Sequence, residues 1–153
     1  MMEPRYFSDT LHPYHNKCVA EFVCDEIWGT PDAIEKYCTM GVFDDDNVLI
    51  AGTVYHNYHP EEGVIELTSA SLDKRWLTKR VIRAMFWLPF MRLGCQLIVL
   101  RVSERNLTMC KIAKKFGFNE TYIPRLRGRD EGEFIFTYTD EMWKSSKYYG
   151  DIA

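Results

Sequence analysis

The chain has 153 residues, of which 46% are hydrophobic and 14% aromatic, a composition that can bury one core and is not that of a disordered chain. Its formal net charge of −3 gives no overall attraction to nucleic acid, and we expect no nucleic-acid partner. No apolar segment reaches membrane-spanning length, the first residues carry no apolar signal core, and the five cysteines show no paired spacing. These features predict a single cytoplasmic domain over residues 1–153, with reduced thiols and no membrane partner.

Helices are predicted at the start of the chain, over residues 1–38. Apolar side chains at helical spacing indicate a helix over residues 16–28. Thr30 as a cap and Pro31 at the first helical position then predict a second helix that runs to about residue 38.

Residues 39–139 are predicted to carry the sheet and the core helices. Runs of β-branched and aromatic residues predict a meander of three antiparallel strands, followed by a helix that Thr78 caps and Pro89 kinks. A fourth strand, a second capped helix and a hairpin follow, and residues 140–153 are predicted as a C-terminal helix or tail. The predicted strands cover residues 40–43, 48–56, 64–72, 96–102, 121–123 and 134–138. Because a crossover helix joins strands 64–72 and 96–102, we expect them to be parallel neighbours that diverge toward their C-terminal ends.

The most specific pattern lies in residues 97–118. A β-branched run is followed by a short loop, by Asn106 as a helix cap and by Gly117 as a helix stop. This unit resembles the strand–Asn–helix–Gly-Phe unit of the GNAT superfamily of N-acyltransferases. The positions in register are Asn106, Met109, Lys115, Gly117 and Phe118. The resemblance implies an α/β fold: a GNAT-like mixed sheet with a central parallel strand pair and flanking helices.

The resemblance also implies acetyl-CoA as the acyl donor. In the family, the third meander strand offers backbone groups to the pantetheine arm, and a glycine-rich turn after it wraps the pyrophosphate. Here the turn, residues 73–80, contains no glycine, so either its basic side chains bind the phosphates or they form a solvated patch. The residues implied in cofactor binding are Ser69, Ala70, Leu72, Arg75, Leu77, Thr78, Lys79, Arg80 and Asn106.

Two residues are candidates for proton transfer. Glu66 is the candidate general base, because an acid inside an otherwise apolar strand is typical of a proton acceptor. The alternative is an ordinary strand residue whose carboxylate reaches solvent or a basic neighbour. Ala113 occupies the position where the family often has a Tyr that protonates the leaving thiolate, and Tyr122 on the neighbouring strand is the candidate replacement, or an ordinary strand aromatic. The two His-x-x-His pairs lack the further ligands of a metal site, so no metal is expected, and His56 or His59 is a weaker candidate base.

The resulting interpretation is an acyl-CoA-dependent N-acetyltransferase that acts on an unidentified small-molecule or peptide amine. Because both signature chemical positions are altered, the alternative is a catalytically inactive GNAT-like binding or structural protein, for example a phage virion or host-interaction component.

Overall fold

A computed structural model describes residues 1–150 and shows a seven-stranded mixed sheet with helices on both faces. The strands are β1 (Glu3–Phe7), β2 (Tyr37–Phe43), β3 (Leu49–His59), β4 (Val64–Ser71), β5 (Leu97–Ser103), β6 (Asn119–Ile123) and β7 (Glu133–Thr139). The helices are α1 (Pro13–Trp28), α2 (Lys79–Trp87), α3 (Leu107–Lys115) and α4 (Asp140–Lys144). The strands lie in the order β1-β2-β3-β4-β5-β7-β6.

The parallel pair of the sheet consists of β4 and β5, as the sequence predicts. Only three residues of each strand are paired, Val64–Glu66 of β4 with Leu97–Val99 of β5. Beyond them β5 continues beside β7, whereas β4 continues beside β3 alone. The two strands therefore diverge toward their C-terminal ends and leave a gap in the middle of the sheet.

Helix α1 covers one face of the sheet and packs closely on β3. A Cβ added to Gly52 of β3 would lie 2.7 Å from Val19 Cγ1 and 3.1 Å from Val23 Cγ2 of the helix. This close approach leaves no room for a side chain at Gly52, and Val19 and Val23 are fully buried there.

Helix α2 covers the other face and begins as predicted. The Thr78 hydroxyl accepts a hydrogen bond from the Val81 amide at 3.2 Å, which satisfies one of the free donors of the first turn. At the predicted kink the helix continues as one π-helical turn, Leu88–Arg92, in which the Leu93 amide donates to the Leu88 carbonyl at 3.0 Å. Pro89 has no amide hydrogen, so a regular α-helical bond is missing here and the wider turn accommodates its ring.

The N-terminal predictions need correction. The second helix predicted from Thr30 is wrong: residues 31–36 form turns and bends, and β2 begins at Tyr37. Ile34 packs on the apolar cluster beneath α1, and the segment has no other apolar stripe that a helix could bury. Strand β1 was not predicted, because five residues that include a proline give little pattern; it pairs with β2 at the sheet edge.

The C-terminal part of the chain closes the second face. Thr139 caps the short helix α4, whose Trp143 is 1% exposed and stacks on Phe90 of the π-helical turn. The helix predicted from residue 140 therefore begins where expected and ends at Lys144, and residues 151–153 of that prediction lie outside the described residues.

Candidate active site

A cavity of about 350 Å³ opens between the separated ends of β4 and β5, and we call it the cleft. Residues Leu67–Ser69 of β4 and Leu100–Ser103 of β5 form its two sides; α2 and α3 line it on one face of the sheet, and the end of α1, at Glu26 and Ile27, lines it on the other. Most of the wall is apolar; it includes Leu77, Met85, Phe86, Met109, Ile112 and Phe116. Beyond Glu66 the β5-facing backbone edge of β4 has no partner strand, so its amides and carbonyls can pair with an extended, amide-containing ligand.

The turn before α2 and the first turn of that helix carry the predicted phosphate-binding side chains, and two of these side chains are paired with acids. Arg75 binds Asp73 through its Nε at 3.1 Å and a terminal nitrogen at 2.9 Å, and its hydrogen bonds lower the pKa of Asp73 to about 2. Arg80 binds Glu3 of β1 at 2.7 Å. Lys79 makes no ion pair within the described part of the chain, and neither does Lys74 of the same turn; among the predicted cofactor residues, Lys79 is therefore the cation that is free to bind an anion.

The other predicted cofactor residues divide between the two faces of the sheet. Ser69 lines the cleft and shares a hydrogen bond of 2.8 Å with Thr53, whereas Ala70 faces α1. Leu72 lies just beyond the end of β4 and is 67% exposed. Leu77 lines the cleft and Thr78 caps α2.

Helix α3 presents its N-terminus to the cleft. Asn106 caps the helix by accepting a hydrogen bond from the Met109 amide at 3.2 Å, and it also lines the cleft. Ala113, two turns further along, is 1% exposed and lies in the same wall. The position at which the family has its Tyr therefore does border the cleft, but here it carries only a methyl group.

Glu66 lies on the opposite face of the sheet, in a larger open groove of about 1170 Å³ that we call the groove. Its carboxylate accepts a hydrogen bond from Asn57 Nδ2 at 2.8 Å and lies 3.6 Å from His56 Nε2. His56 is 7% exposed, and its Nε2 is 2.8 Å from Thr68 Oγ1. Burial lowers the pKa of His56, and the nearby Arg101 lowers it further, although Glu66 opposes both effects. A neutral imidazole and a carboxylate thus lie side by side where β4 leaves β5.

Asn57, the residue that holds Glu66, has an unusual backbone. Its φ is +49°, a left-handed value that is uncommon outside glycine, and the β3–β4 register shifts at this point. The bulge directs the Asn57 amide toward Glu66, so that the carboxylate is fixed in the groove and does not extend into solvent; its side chain is 12% exposed.

A cluster of charges lies next to this pair. Glu133 of β7 is fully buried and binds Arg101 of β5 through two hydrogen bonds of 3.0 and 2.9 Å. Arg127, from the β6–β7 loop, contacts the same carboxylate at 3.4 Å. Arg105 binds Glu131 at 3.0 Å. Because Arg101, Arg127 and Glu131 border both the cleft and the groove, these charges form the wall between the two spaces.

Tyr122 lies on β6, at the edge of the sheet, and is 44% exposed. Its hydroxyl donates to Glu104 at 3.2 Å, and partial desolvation and this carboxylate raise the pKa of Tyr122. It is not among the residues that line the cleft or the groove, and its role as a proton donor stays a prediction.

Sequence reasoning missed the Arg101–Glu133–Arg127 cluster. The available signal was Arg101 itself, a charged residue inside an apolar strand, which requires a buried partner. Its partner could not be identified without knowing that β5 and β7 are neighbours.

Neither a metal-binding cluster nor a membrane-spanning helix is found in residues 1–150. No group of three or more histidine, cysteine or acidic side chains is placed to hold a metal ion. None of the helices in the same residues combines the length and the apolar character needed to cross a bilayer.

Comparison with known proteins supports a fold and not a close relationship. No protein-family model matches the sequence, and a search of curated proteins finds no significant match. Among solved structures, an acetyltransferase of the GNAT family from Bacillus anthracis superposes with a TM-score of 0.57 at 16% identity, over 67% of this chain and 66% of that one. A spermidine N-acetyltransferase from Vibrio cholerae gives a TM-score of 0.60 at 16% identity, over 71% of this chain and 67% of that one.

A third structure matches over the whole length. A protein from Acinetobacter baylyi, assigned as an acetyltransferase, gives a TM-score of 0.65 at 11% identity and covers 100% of this chain and 99% of its own. Several other matches are partial, and in one the chain spans 61% of the other protein's length. The diverging β4–β5 pair and these superpositions together show that the chain has the GNAT fold.

Proposed function

We propose that this protein is an acetyl-CoA-dependent N-acetyltransferase. The observation that carries the proposal is the gap between β4 and β5: it joins an apolar cleft on one face to a groove that holds Glu66 and His56 on the other. An acyl donor in the cleft and an amine in the groove would meet at this gap. The acetyltransferase structures with which the chain superposes support the same assignment.

The cleft fits an acyl-CoA in part. The unpaired edge of β4 offers backbone groups to the amides of the pantetheine arm, and the apolar walls suit its methylene groups. The first turn of α2 offers the Lys79 and Arg80 amides, which precede the capped Val81 amide, to the pyrophosphate, and the Lys79 ammonium adds a charge. Because the turn contains no glycine, its side chains restrict the approach of the pyrophosphate to the backbone amides. Charged side chains therefore have to replace part of the contact that backbone amides make in a glycine-rich turn.

Acetyl-CoA supplies the thioester whose acetyl group is transferred. The chain's own residues bind and orient the amine and accept its proton. Glu66 is the candidate acceptor, because Asn57 fixes its carboxylate in the groove and the neutral His56 beside it can share the proton. Backbone amides on the free edge of β4 are the candidate donors to the negative charge that develops on the carbonyl oxygen.

Calorimetric titration with acetyl-CoA tests donor binding. We expect Lys79→Ala to weaken binding by about 1–3 kcal/mol, the range for a charge-assisted contact. Arg80→Ala is the matched comparison and should have a smaller effect, because Glu3 already neutralises Arg80. Equal affinities for the wild type and the Lys79 variant would leave the turn with no part in cofactor binding.

Release of free thiol from acetyl-CoA, measured against a panel of amines, tests catalysis. Glu66→Gln should lower the rate by roughly 10²–10⁴-fold with little change in acetyl-CoA affinity. Glu62→Gln, on the exposed turn before β4, is the control and should be silent. Tyr122→Phe examines the predicted proton donor in the same assay.

The second candidate is an inactive binding or structural protein with the same fold, as in a phage virion or host-interaction component. It is favoured by the glycine-free turn and by the pairing of Arg75 and Arg80 with acids, both of which weaken the phosphate site. No heat on titration with acetyl-CoA, together with no thiol release for any amine, would support this candidate and reject the enzyme.

A further inference from the structure

Arg127 is a cation whose hydrogen bonds are incomplete. Its side chain is 19% exposed, and its Nε is buried with no partner among residues 1–150. Its other contacts are long: a terminal nitrogen lies 3.4 Å from Glu133 Oε1 and 3.4 Å from the Arg101 carbonyl. A buried donor without a partner is costly, and because Nε is shielded from solvent, an acceptor in the groove would bind the terminal nitrogens of this guanidinium.

The close ion pairs around Arg127 leave its own charge weakly compensated. The tightest contacts within the cluster are Arg101 with Glu133 and Arg105 with Glu131, and the Glu66 carboxylate also acts on Arg101. Within the described residues, Arg127 has only its 3.4 Å ion pair with Glu133, and it borders the groove. An anion is the ligand chemistry that compensates it.

Glu66 supplies the opposite charge in the same groove. It pairs with Val99 across the parallel strands, and Arg101 lies two residues, about 7 Å, further along β5 on the same face. Arg127 contacts the Arg101 backbone carbonyl. Glu66 and Arg127 both line the groove, so a ligand that carries a cationic and an anionic group can be recognised at both ends there.

We propose that the groove binds a free α-amino acid, with its ammonium group at Glu66 and its carboxylate at Arg127. The proposal rests on the proposed function, in which the groove holds the acyl acceptor, and it names the class of that acceptor. The ammonium group would first give one proton to the Glu66 carboxylate, and the resulting neutral amine would lose a second proton while its nitrogen bonds to the acetyl carbon. The carbon–sulfur bond breaks, the departing thiolate takes up one of the two protons and the other passes to solvent, which gives an N-acetyl amino acid and free CoA.

The remaining wall of the groove indicates which side chain the bound amino acid carries. Trp28, Tyr37, Tyr58 and Leu126 form an aromatic and apolar part of the groove, Glu35 and Lys36 line another part, and at about 1170 Å³ the groove has room for a large residue. The aromatic and apolar part can pack against an aromatic or aliphatic side chain.

Calorimetry in the absence of any acyl-CoA tests the proposal with four probes. L-phenylalanine carries both charges, phenethylamine lacks the carboxylate, 3-phenylpropionate lacks the amine, and L-glutamate carries a charged side chain. We expect L-phenylalanine to bind and each single-charge analogue to bind about tenfold to a hundredfold more weakly, the range for a lost charge-assisted contact. Phenethylamine binding as tightly as L-phenylalanine would overturn the proposal.

Arg127→Met tests the residue, and Arg129→Met, an exposed arginine on the same loop, is the matched control. The Arg127 variant should lose L-phenylalanine affinity about tenfold or more and leave phenethylamine affinity unchanged, while the control should bind both as the wild type does. Equal weakening of both probes would indicate a structural role and overturn the assignment. If the Arg127 variant does not fold, the comparison of probes on the wild type decides.

These outcomes separate this proposal from the proposed function. Thiol release with phenethylamine, without L-phenylalanine binding, keeps the enzyme and removes the amino acid. Binding of L-phenylalanine without binding of acetyl-CoA would keep the amino-acid site and remove the acetyltransferase. If Arg127→Met instead selectively weakens succinyl-CoA relative to acetyl-CoA, and L-phenylalanine does not bind, the carboxylate at Arg127 belongs to the acyl group and the proposal is wrong.

Discussion

Replacing Glu133 with Gln should destabilise the protein more than any change to an exposed ion pair. The Glu133 carboxylate is fully buried and accepts two hydrogen bonds from Arg101, at 3.0 and 2.9 Å, and a longer one from Arg127. Removing one partner from a buried pair costs about 3–5 kcal/mol. Arg101 is 44% exposed and can recover some hydration, and Gln keeps one acceptor oxygen. We therefore expect a loss of about 2–3 kcal/mol, or roughly 5–10 °C in Tm.

Urea denaturation followed by tryptophan fluorescence measures this loss, and the m-value should stay constant so that the change reports stability alone. Glu120→Gln on β6 is the matched control. Its partner Lys114 is 3.6 Å away and both side chains are well exposed, so the cost should be below about 1 kcal/mol. Equal losses in the two variants would refute the argument that burial of Glu133 determines the energy.

Three further predictions follow from single contacts. Burial lowers the pKa of His56, so below pH 6.5 this residue takes up a proton more readily in the unfolded chain than in the folded one. The free energy of unfolding should therefore fall as the pH drops below that value, and it should fall less steeply in His56→Gln. Urea titrations at two pH values would measure the difference. Gly52→Ala should cost about 1–3 kcal/mol, because the new Cβ would press on Val19, and an unchanged urea midpoint would contradict this packing argument. Ala113→Tyr should raise the rate of thiol release relative to Ala113→Phe, since only the former adds a hydroxyl to the cleft wall; equal rates would remove the argument for a missing proton donor.

The sequence predicts the centre of this fold better than its beginning. The crossover helix between two apolar strands required a parallel pair, and the structure confirms β4 beside β5. The cap and stop signals of α3 are equally local and equally reliable, since Asn106 makes the expected hydrogen bond. Strand β1 could not be predicted in the same way, because its place depends on pairing with β2, which lies more than thirty residues further along the chain.

The sequence singled out a candidate residue only where one position carried the signal. Glu66 was recognisable as an acid within an apolar strand; the structure places it in the groove, and its role as a base stays a prediction. The part played by Arg127 depends on a loop whose path brings it to Arg101 and Glu133, and no local pattern encodes that path. The pairing of Arg80 with Glu3 was equally hidden, because β1 itself was not predicted.

The wall of charges between the cleft and the groove has a thermodynamic consequence. Arg101, Arg127 and Glu131 border both spaces, so a molecule bound in one changes the hydration and the electrostatic surroundings of groups that face the other. The two binding free energies are then not additive. By reciprocity, the factor by which one occupant changes the affinity for the second equals the factor by which the second changes the affinity for the first. We therefore expect ligands of the two spaces to bind cooperatively.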